Sequence, residues 1–215
     1  MRVIIMRHGE AMFEGPERVL TSRGREEIKM TTLKLLSSSN ITRIFCSPKK
    51  RAVQTAQVVS SLLRGKVPEI EILPELAPMG NASYVYDYVN AVAHDSDTIL
   101  LISHIPQVLS LADVFTAVDC DVPRFVTGGA LILQQLDSSA SYPRFVAESF
   151  FTPSSELILP QTKRSAVATA PVATPAPAPV PTPATNWSHG LPSSLMGTAS
   201  SFIGADHSTF AGANA

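Results

Sequence analysis

Cysteine occurs only twice in 215 residues, at Cys46 and Cys120, which is too few for a disulfide framework and at no metal-binding spacing. Two reduced thiols in a reducing compartment are expected. Charge is also scarce, at 16%, and neither sign prevails: 17 Lys and Arg against 18 Asp and Glu leave a net charge of -1. Without a basic surplus the chain lacks the footprint of a general nucleic-acid surface, and it lacks a polybasic membrane anchor. Long apolar runs are missing too. None approaches the ~18 residues of a bilayer-spanning helix. The run at residues 3–6 is interrupted at once by Arg7 and His8, too early for the core of a secretion signal. A cytoplasmic, monomeric protein with no nucleic-acid or membrane partner is the expectation. No repeat of fixed period is present.

What is there divides near residue 160. After Arg164 the sequence has no Lys or Arg, and its one acidic residue is Asp206. Residues 170–184 alternate Pro with Ala, Val and Thr, a composition that favours extended polyproline and builds no core. Trp187, Phe202 and Phe210 beyond it fall on no helical face. The expected organisation is one domain over residues 1–159 and a disordered Pro/Ala/Ser-rich tail over residues 160–215.

Within residues 1–159, short apolar runs alternate with helical patterns. Strands are expected at 2–6, 43–46, 70–73, 98–102, 130–136 and 144–151. Helices are expected at 24–36, 48–63, 84–92 and 106–115. The inward residues would be Ile28, Met30, Leu33, Leu35 and Leu36 in the first helix. In the second they would be Val53, Ala56, Val59, Leu62 and Leu63, with Pro48 in its first turn. The strand at 98–102 is apolar throughout, as a central parallel strand should be. Repeated strand–helix alternation implies an α/β fold, a three-layer α/β/α sandwich around a mostly parallel sheet.

Ligands in such sheets bind beyond the carboxyl ends of the strands. Arg7, His8 and Gly9 follow the first strand. Ser47 and Pro48 follow the second, with Arg51 in the next helical turn. Ser103, His104 and Pro106 follow the strand at 98–102. Two arginines and two histidines therefore converge on one end of the sheet. A guanidinium fork matches phosphate oxygens, a helix start favours anions, and an imidazole between them can attack phosphorus or stabilise its charge. The pattern points to a phosphoryl pocket. It offers no cation site: carboxylate and thiol ligands are missing at metal spacing, and the arginines would repel a cation. No metal and no cofactor are expected.

The segments Val3-Ile4-Ile5-Met6-Arg7-His8-Gly9-Glu10, Ser47-Pro48-Lys49-Lys50-Arg51-Ala52-Val53-Gln54-Thr55-Ala56 and Leu101-Ile102-Ser103-His104 resemble the histidine phosphatase superfamily, of phosphoglycerate-mutase-like fold. Leu73-Pro74-Glu75-Leu76-Ala77-Pro78-Met79-Gly80 and Ser103-His104-Ile105-Pro106 are similar to the SixA-like phosphohistidine phosphatase branch, as is the lack of a large helical insert. The resemblance covers about residues 1–155. It implies that His8 is a nucleophile forming a phosphohistidine intermediate. It implies that Arg7 and Arg51 bind phosphate and that His104 stabilises the transition state across from His8. Arg18, just before Leu20-Thr21, stands where the branch carries a further phosphate-binding Arg, although Val19 replaces the usual Pro. Its other reading is a loop residue paired with Glu14 or Glu17.

Many members acting on alcohol phosphates use a carboxylate general acid in the segment after the third strand. Here Pro78 stands near that place, and Pro has no proton to donate. Glu75 is the nearest carboxylate, as a possible proton donor or as a structural residue. A site without a strong acid suits a labile P–N bond better than an alkyl phosphate. The expected substrate is phosphohistidine on a partner protein, such as a phosphotransfer domain. The alternatives are a small-molecule phosphomonoesterase and a non-catalytic phospho-ligand-binding protein.

Overall fold

A computed structural model describes residues 1–116, 124–136 and 144–159. Cys120, the whole tail and its Trp187, Phe202 and Phe210 lie outside the described residues.

The chain runs β1 (Arg2–Arg7), β2 (Ala11–Glu14), β3 (Glu17–Leu20), α1 (Ser22–Ser38), β4 (Arg43–Cys46), α2 (Lys50–Ser60) and β5 (Ile70–Ile72). After a single 3-10 turn at Pro74–Leu76 come α3 (Ala82–Val92), β6 (Thr98–Ser103), α4 (Gln107–Phe115), β7 (Ala130–Gln135), β8 (Phe145–Phe151) and β9 (Glu156–Ile158). Seven strands form one sheet in the order β5-β4-β6-β1-β7-β8-β9. The pairs β5–β4, β4–β6 and β6–β1 are parallel, while β1–β7, β7–β8 and β8–β9 are antiparallel. Strands β2 and β3 form a separate hairpin.

The strand sequences explain the layers. Successive side chains of a strand point to opposite faces, and in β1 both sets are apolar. Val3 and Ile5 join one core with Ile99 and Leu101 of β6, under α3 and α4. Ile4 and Met6 join the other with Leu100 and Ile102, under α1 and α2. A strand buried on both faces needs helices on both, which gives the three-layer α/β sandwich around a mixed sheet whose β5-β4-β6-β1 part is parallel.

Several local expectations need correction. The helix α2 starts at Lys50, so Pro48 sits in the preceding turn and not inside the helix. In the same stretch Leu62 and Leu63 lie beyond the end of α2, and Val53 is half-buried. Met30 and Leu33 of α1 are exposed. The inward stripe is Gly24, Ile28, Thr31, Thr32 and Leu35, at the i, i+4, i+7, i+8, i+11 spacing of one helical face. Two buried threonines thus occupy core positions that the apolar pattern had assigned to Met30 and Leu33.

Two features bring the first helix against the end of β1. The Thr21 hydroxyl caps α1 by accepting from the Gly24 N–H at 2.9 Å. Gly9 and Gly24 let the backbones touch: a Cβ on Gly9 would meet the Gly24 carbonyl oxygen at 2.6 Å, and one on Gly24 would collide with the Glu10 carbonyl.

Candidate active site

The parallel strands β1, β4 and β6 end side by side, and the loops leaving them meet there. His8 follows β1, and its backbone is held on both sides. Its N–H donates to the Ser103 carbonyl at 3.1 Å, and its carbonyl accepts from the Gly128 N–H at 3.1 Å. Gly128 has φ +69°, a left-handed turn that only glycine adopts without strain and that precedes β7.

The His8 ring is fixed as well, and the hydrogen bonds select its tautomer. Arg51 Nε–H, from the first turn of α2, donates to His8 Nε2 at 3.0 Å. Nε2 is therefore the unprotonated nitrogen, and its one lone pair accepts from Arg51. The proton sits on Nδ1, which lies 2.7 Å from the Gly9 carbonyl and donates to it. Thr55, one turn further along α2, accepts from the Gly9 N–H at 3.3 Å and donates to the Arg51 carbonyl at 2.8 Å. One hydroxyl thus couples the loop after β1 to the helix that carries Arg51.

His104 follows β6, with its ring centroid 4.9 Å from that of His8 and the planes tilted by 55°. Its Nε2 lies 2.8 Å from the Ser47 hydroxyl, which follows β4. His104 Nδ1 is buried with no hydrogen-bond partner. Arg7 ends β1, and its Nη1–H donates to the Phe125 carbonyl at 2.9 Å.

Both histidines are neutral bases in this setting. His8 is 5% exposed and His104 1%. Burial is the main cause that holds the His8 pKa at about 4, with the charges of Arg51, Arg7 and Arg18 adding to it and the bond to Gly9 opposing it. Burial likewise takes His104 to about 3, helped by Arg51, His8, Lys49 and Arg18. Repulsion by the arginines is thus real, but desolvation is the larger cause. Arg7 and Arg51 are themselves lowered, first by their own burial and then by the charge of Arg18.

Arg18 lies on β3 of the hairpin, not in a loop. Its Nη2–H donates to the Ala11 carbonyl at 2.7 Å, and its guanidinium stands 5.6 Å from the Phe13 ring centre. Glu14 and Glu17 face Lys50 instead, at 3.8 and 4.0 Å. The charge of Arg18 reaches Arg7, His8, Arg51 and His104 alike. Glu75 occupies the 3-10 turn. Its backbone carbonyl accepts from Gln107 Nε2 at 2.9 Å, and the neighbouring Leu76 carbonyl accepts from the Ser103 hydroxyl at 2.6 Å. These bonds tie the Glu75 turn to the strand end that carries His104. The charges that act on the two histidines are cationic, and Glu75 is not among them.

The structure thus brings Arg7, His8, Arg51 and His104 together, with Arg18 close by and Glu75 on the adjoining turn. Sequence reading passed over the supporting roles of Ser47, Thr55 and Gln107. For Ser47 and Gln107 the available signal was a polar side chain next to a motif residue at a strand end; for Thr55 it was the one-turn spacing from Arg51. An unprotonated imidazole nitrogen ringed by guanidiniums can receive a tetrahedral anion and attack its centre.

A family model described as the histidine phosphatase superfamily (branch 1) matches residues 3–84. The phosphohistidine phosphatase SixA of Escherichia coli (strain K12) is 33% identical over 149 residues, which span 66% of this chain and 89% of that protein. The solved structure of the protein histidine phosphatase SixA complexed with tungstate has a TM-score of 0.64 at 29% identity, covering 72% of this chain and 98% of that one. A solved structure from Nakamurella multipartitia shares the fold with a TM-score of 0.57 at 17% identity, covering 70% of this chain and 94% of its own.

Proposed function

Because the chain belongs to the histidine phosphatase superfamily and is a phosphatase, we propose that it removes phosphate from phosphohistidine on a partner protein, through a covalent phosphohistidine at His8. The observation that carries this reading is the fixed tautomer of His8, whose Nδ1–H is tied to Gly9 and whose Nε2 lone pair faces Arg51. Tungstate is a tetrahedral oxyanion like phosphate, and its capture by SixA is in keeping with such a pocket.

In the proposed first step Arg51 turns its Nε–H from His8 to the phosphate, and the freed His8 Nε2 lone pair forms a bond to phosphorus. The partner's P–N bond breaks, its electron pair stays on the departing imidazole, and that imidazole takes a proton from solvent. Arg7, Arg51 and Arg18 hold the equatorial oxygens, and His104 faces the phosphoryl group from the other side. Water then bonds to phosphorus, the His8 P–N pair returns to Nε2, and inorganic phosphate leaves as the water gives up a proton. His104, held at about 3, is the neutral imidazole and not the imidazolium acid in the empty site. The reading therefore favours a leaving group that needs no strong protein acid, which phosphohistidine supplies and an alkyl phosphate does not.

The test is to incubate the full chain with a phosphohistidine-bearing domain and, separately, with a panel of small phosphate esters. Rapid hydrolysis of the first, slow hydrolysis of the second and loss of both in His8→Ala are expected. Preference for esters, abolished by Glu75→Gln, would make this a phosphomonoesterase with Glu75 as its acid. Binding of phosphate without turnover of either would leave a non-catalytic phospho-ligand-binding protein.

A further inference from the structure

The end of the sheet that carries the histidines also carries exposed apolar side chains on the hairpin, after the 3-10 turn, after β6 and before β7. Met12 and Phe13 of the hairpin are 60% and 73% exposed, Met79 after the 3-10 turn is 88%, Ile105 beside His104 is 42%, and Val126 beside Phe125 is 43%. Four of the five are tied to the site, while Met12 pairs with Val19 on the other face of the hairpin from Phe13 and Arg18. Phe13 stacks on Arg18, Val126 adjoins the carbonyl that receives Arg7, and Ile105 follows His104 directly. Met79 follows, three residues on, the turn whose carbonyls accept from Ser103 and Gln107. The loops at the opposite end of the sheet, among the described residues, expose only Val67 and Leu136. Apolar exposure concentrated around one pocket marks a contact surface.

The same rim carries unbalanced positive charge. The charges of Arg18, Lys49 and Arg124 all reach the site residues. With Arg7 and Arg51 that makes five cations, none of which makes an ion pair with a described residue. Glu27 is the carboxylate whose charge also reaches Arg7, and it offsets part of this positive set. A small phosphate ester would be engulfed by the inner arginines and would leave Met79 and Val126 untouched. A broad anionic surface presenting its phosphate at the centre would use all of them.

We infer that this ring of apolar side chains with an outer set of cations, including Arg124, is the docking surface for a folded acidic protein whose phosphohistidine is encircled by apolar and carboxylate side chains. The inference rests on the proposed phosphohistidine activity and adds to it what selects the partner. Met79 and Val126 act in association and not in the chemical step.

The experiment measures kcat and KM of the full chain on two substrates: an acidic histidine phosphotransfer domain phosphorylated with phosphoramidate, and free phosphohistidine. The variant is Met79→Ser/Val126→Thr, chosen to spare every residue of the phosphate site. On the domain its KM should rise about tenfold or more, as loss of interface anchors worth about 1.4 kcal/mol would produce, with kcat unchanged. On free phosphohistidine both constants should stay as in wild type. Arg124→Ala should flatten the salt dependence of kcat/KM on the domain alone. Equal KM for variant and wild type on the domain, while wild type hydrolyses it, overturns the docking surface and leaves the proposed activity standing. Wild type inactive on both phosphohistidine substrates overturns the activity itself, and the docking inference with it. Self-association of wild type that the variant loses would give the rim to a second copy of this chain and overturn the assignment to a partner.

Discussion

At the scale of single residues, the site depends on burial more than on charge. His8 sits at about 4 because it is desolvated, and the arginines push in the same direction. The sign for activity follows. The attacking form is the unprotonated ring, so kcat/KM should be flat near neutrality and fall only as the pH drops toward about 4. A profile whose acid limb lies near the ordinary histidine value of 6.5 would contradict the buried setting. Arg7→Ala and Arg51→Ala should each lower turnover by about a hundredfold or more, the usual cost of removing a preorganised donor. Lys at either position should restore only part of it, because the fork is lost. Full recovery in both Lys variants would mean that charge alone matters. The four central side chains were legible in the sequence because each stands at or just past an apolar strand, where the fold class already places ligands. Ser47, Thr55 and Gln107 were not, because a hydroxyl or amide on a loop or helix acquires its meaning only from the carbonyl or ring it meets.

At the scale of elements, strands β4 and β6 were readable to within a residue because they are apolar and buried on both faces. The hairpin β2–β3 was not. Its residues are exposed or half-buried apart from Leu20, so no alternation into a core announces it, and Gly15-Pro16 at the turn was the only local cue. Yet this hairpin presents Arg18 toward the site. The helix α1 misled for the opposite reason, since Thr31 and Thr32 fill core positions. Their hydroxyls are fully buried and have no partner in the structure. A buried unpartnered hydroxyl costs free energy that an isosteric methyl avoids. Thr31→Val should therefore stabilise the protein, by about 1 kcal/mol on that principle, read as a higher urea midpoint at constant m-value. A destabilisation would show that the hydroxyl is satisfied in solution. Thr21→Ala, removing the cap of α1, should act in the other direction by about 1 kcal/mol.

At the scale of the whole molecule, the two buried histidines couple stability to pH. In the unfolded chain both titrate near 6.5, and in the folded chain at about 4 and about 3. As pH falls through 6.5 the unfolded state binds protons that the folded state refuses, so stability is lost progressively between about 6.5 and 3. Urea unfolding at a series of pH values should show this fall, and His8→Ala/His104→Ala should show a shallower one. We further propose that residues 1–159 are the folded catalytic unit. Leu159 is largely buried and its N–H donates to the Glu148 carbonyl at 3.0 Å, which anchors the end of that span. Cutting after Leu159 should leave melting temperature and phosphatase rate unchanged, and a large drop in both would move the boundary. The central claim is the covalent step at one nitrogen of one residue. The direct measurement is an alkaline quench of the full chain during turnover of a phosphohistidine protein, followed by mapping of the phosphate on the protein's own peptides. Alkaline conditions are needed because phosphohistidine does not survive acid. Phosphate is expected on His8, bonded to Nε2, since Nδ1 is committed to Gly9 at 2.7 Å. A turnover mixture with no phosphate on His8, together with a His8→Ala variant that still hydrolyses the substrate, would contradict it.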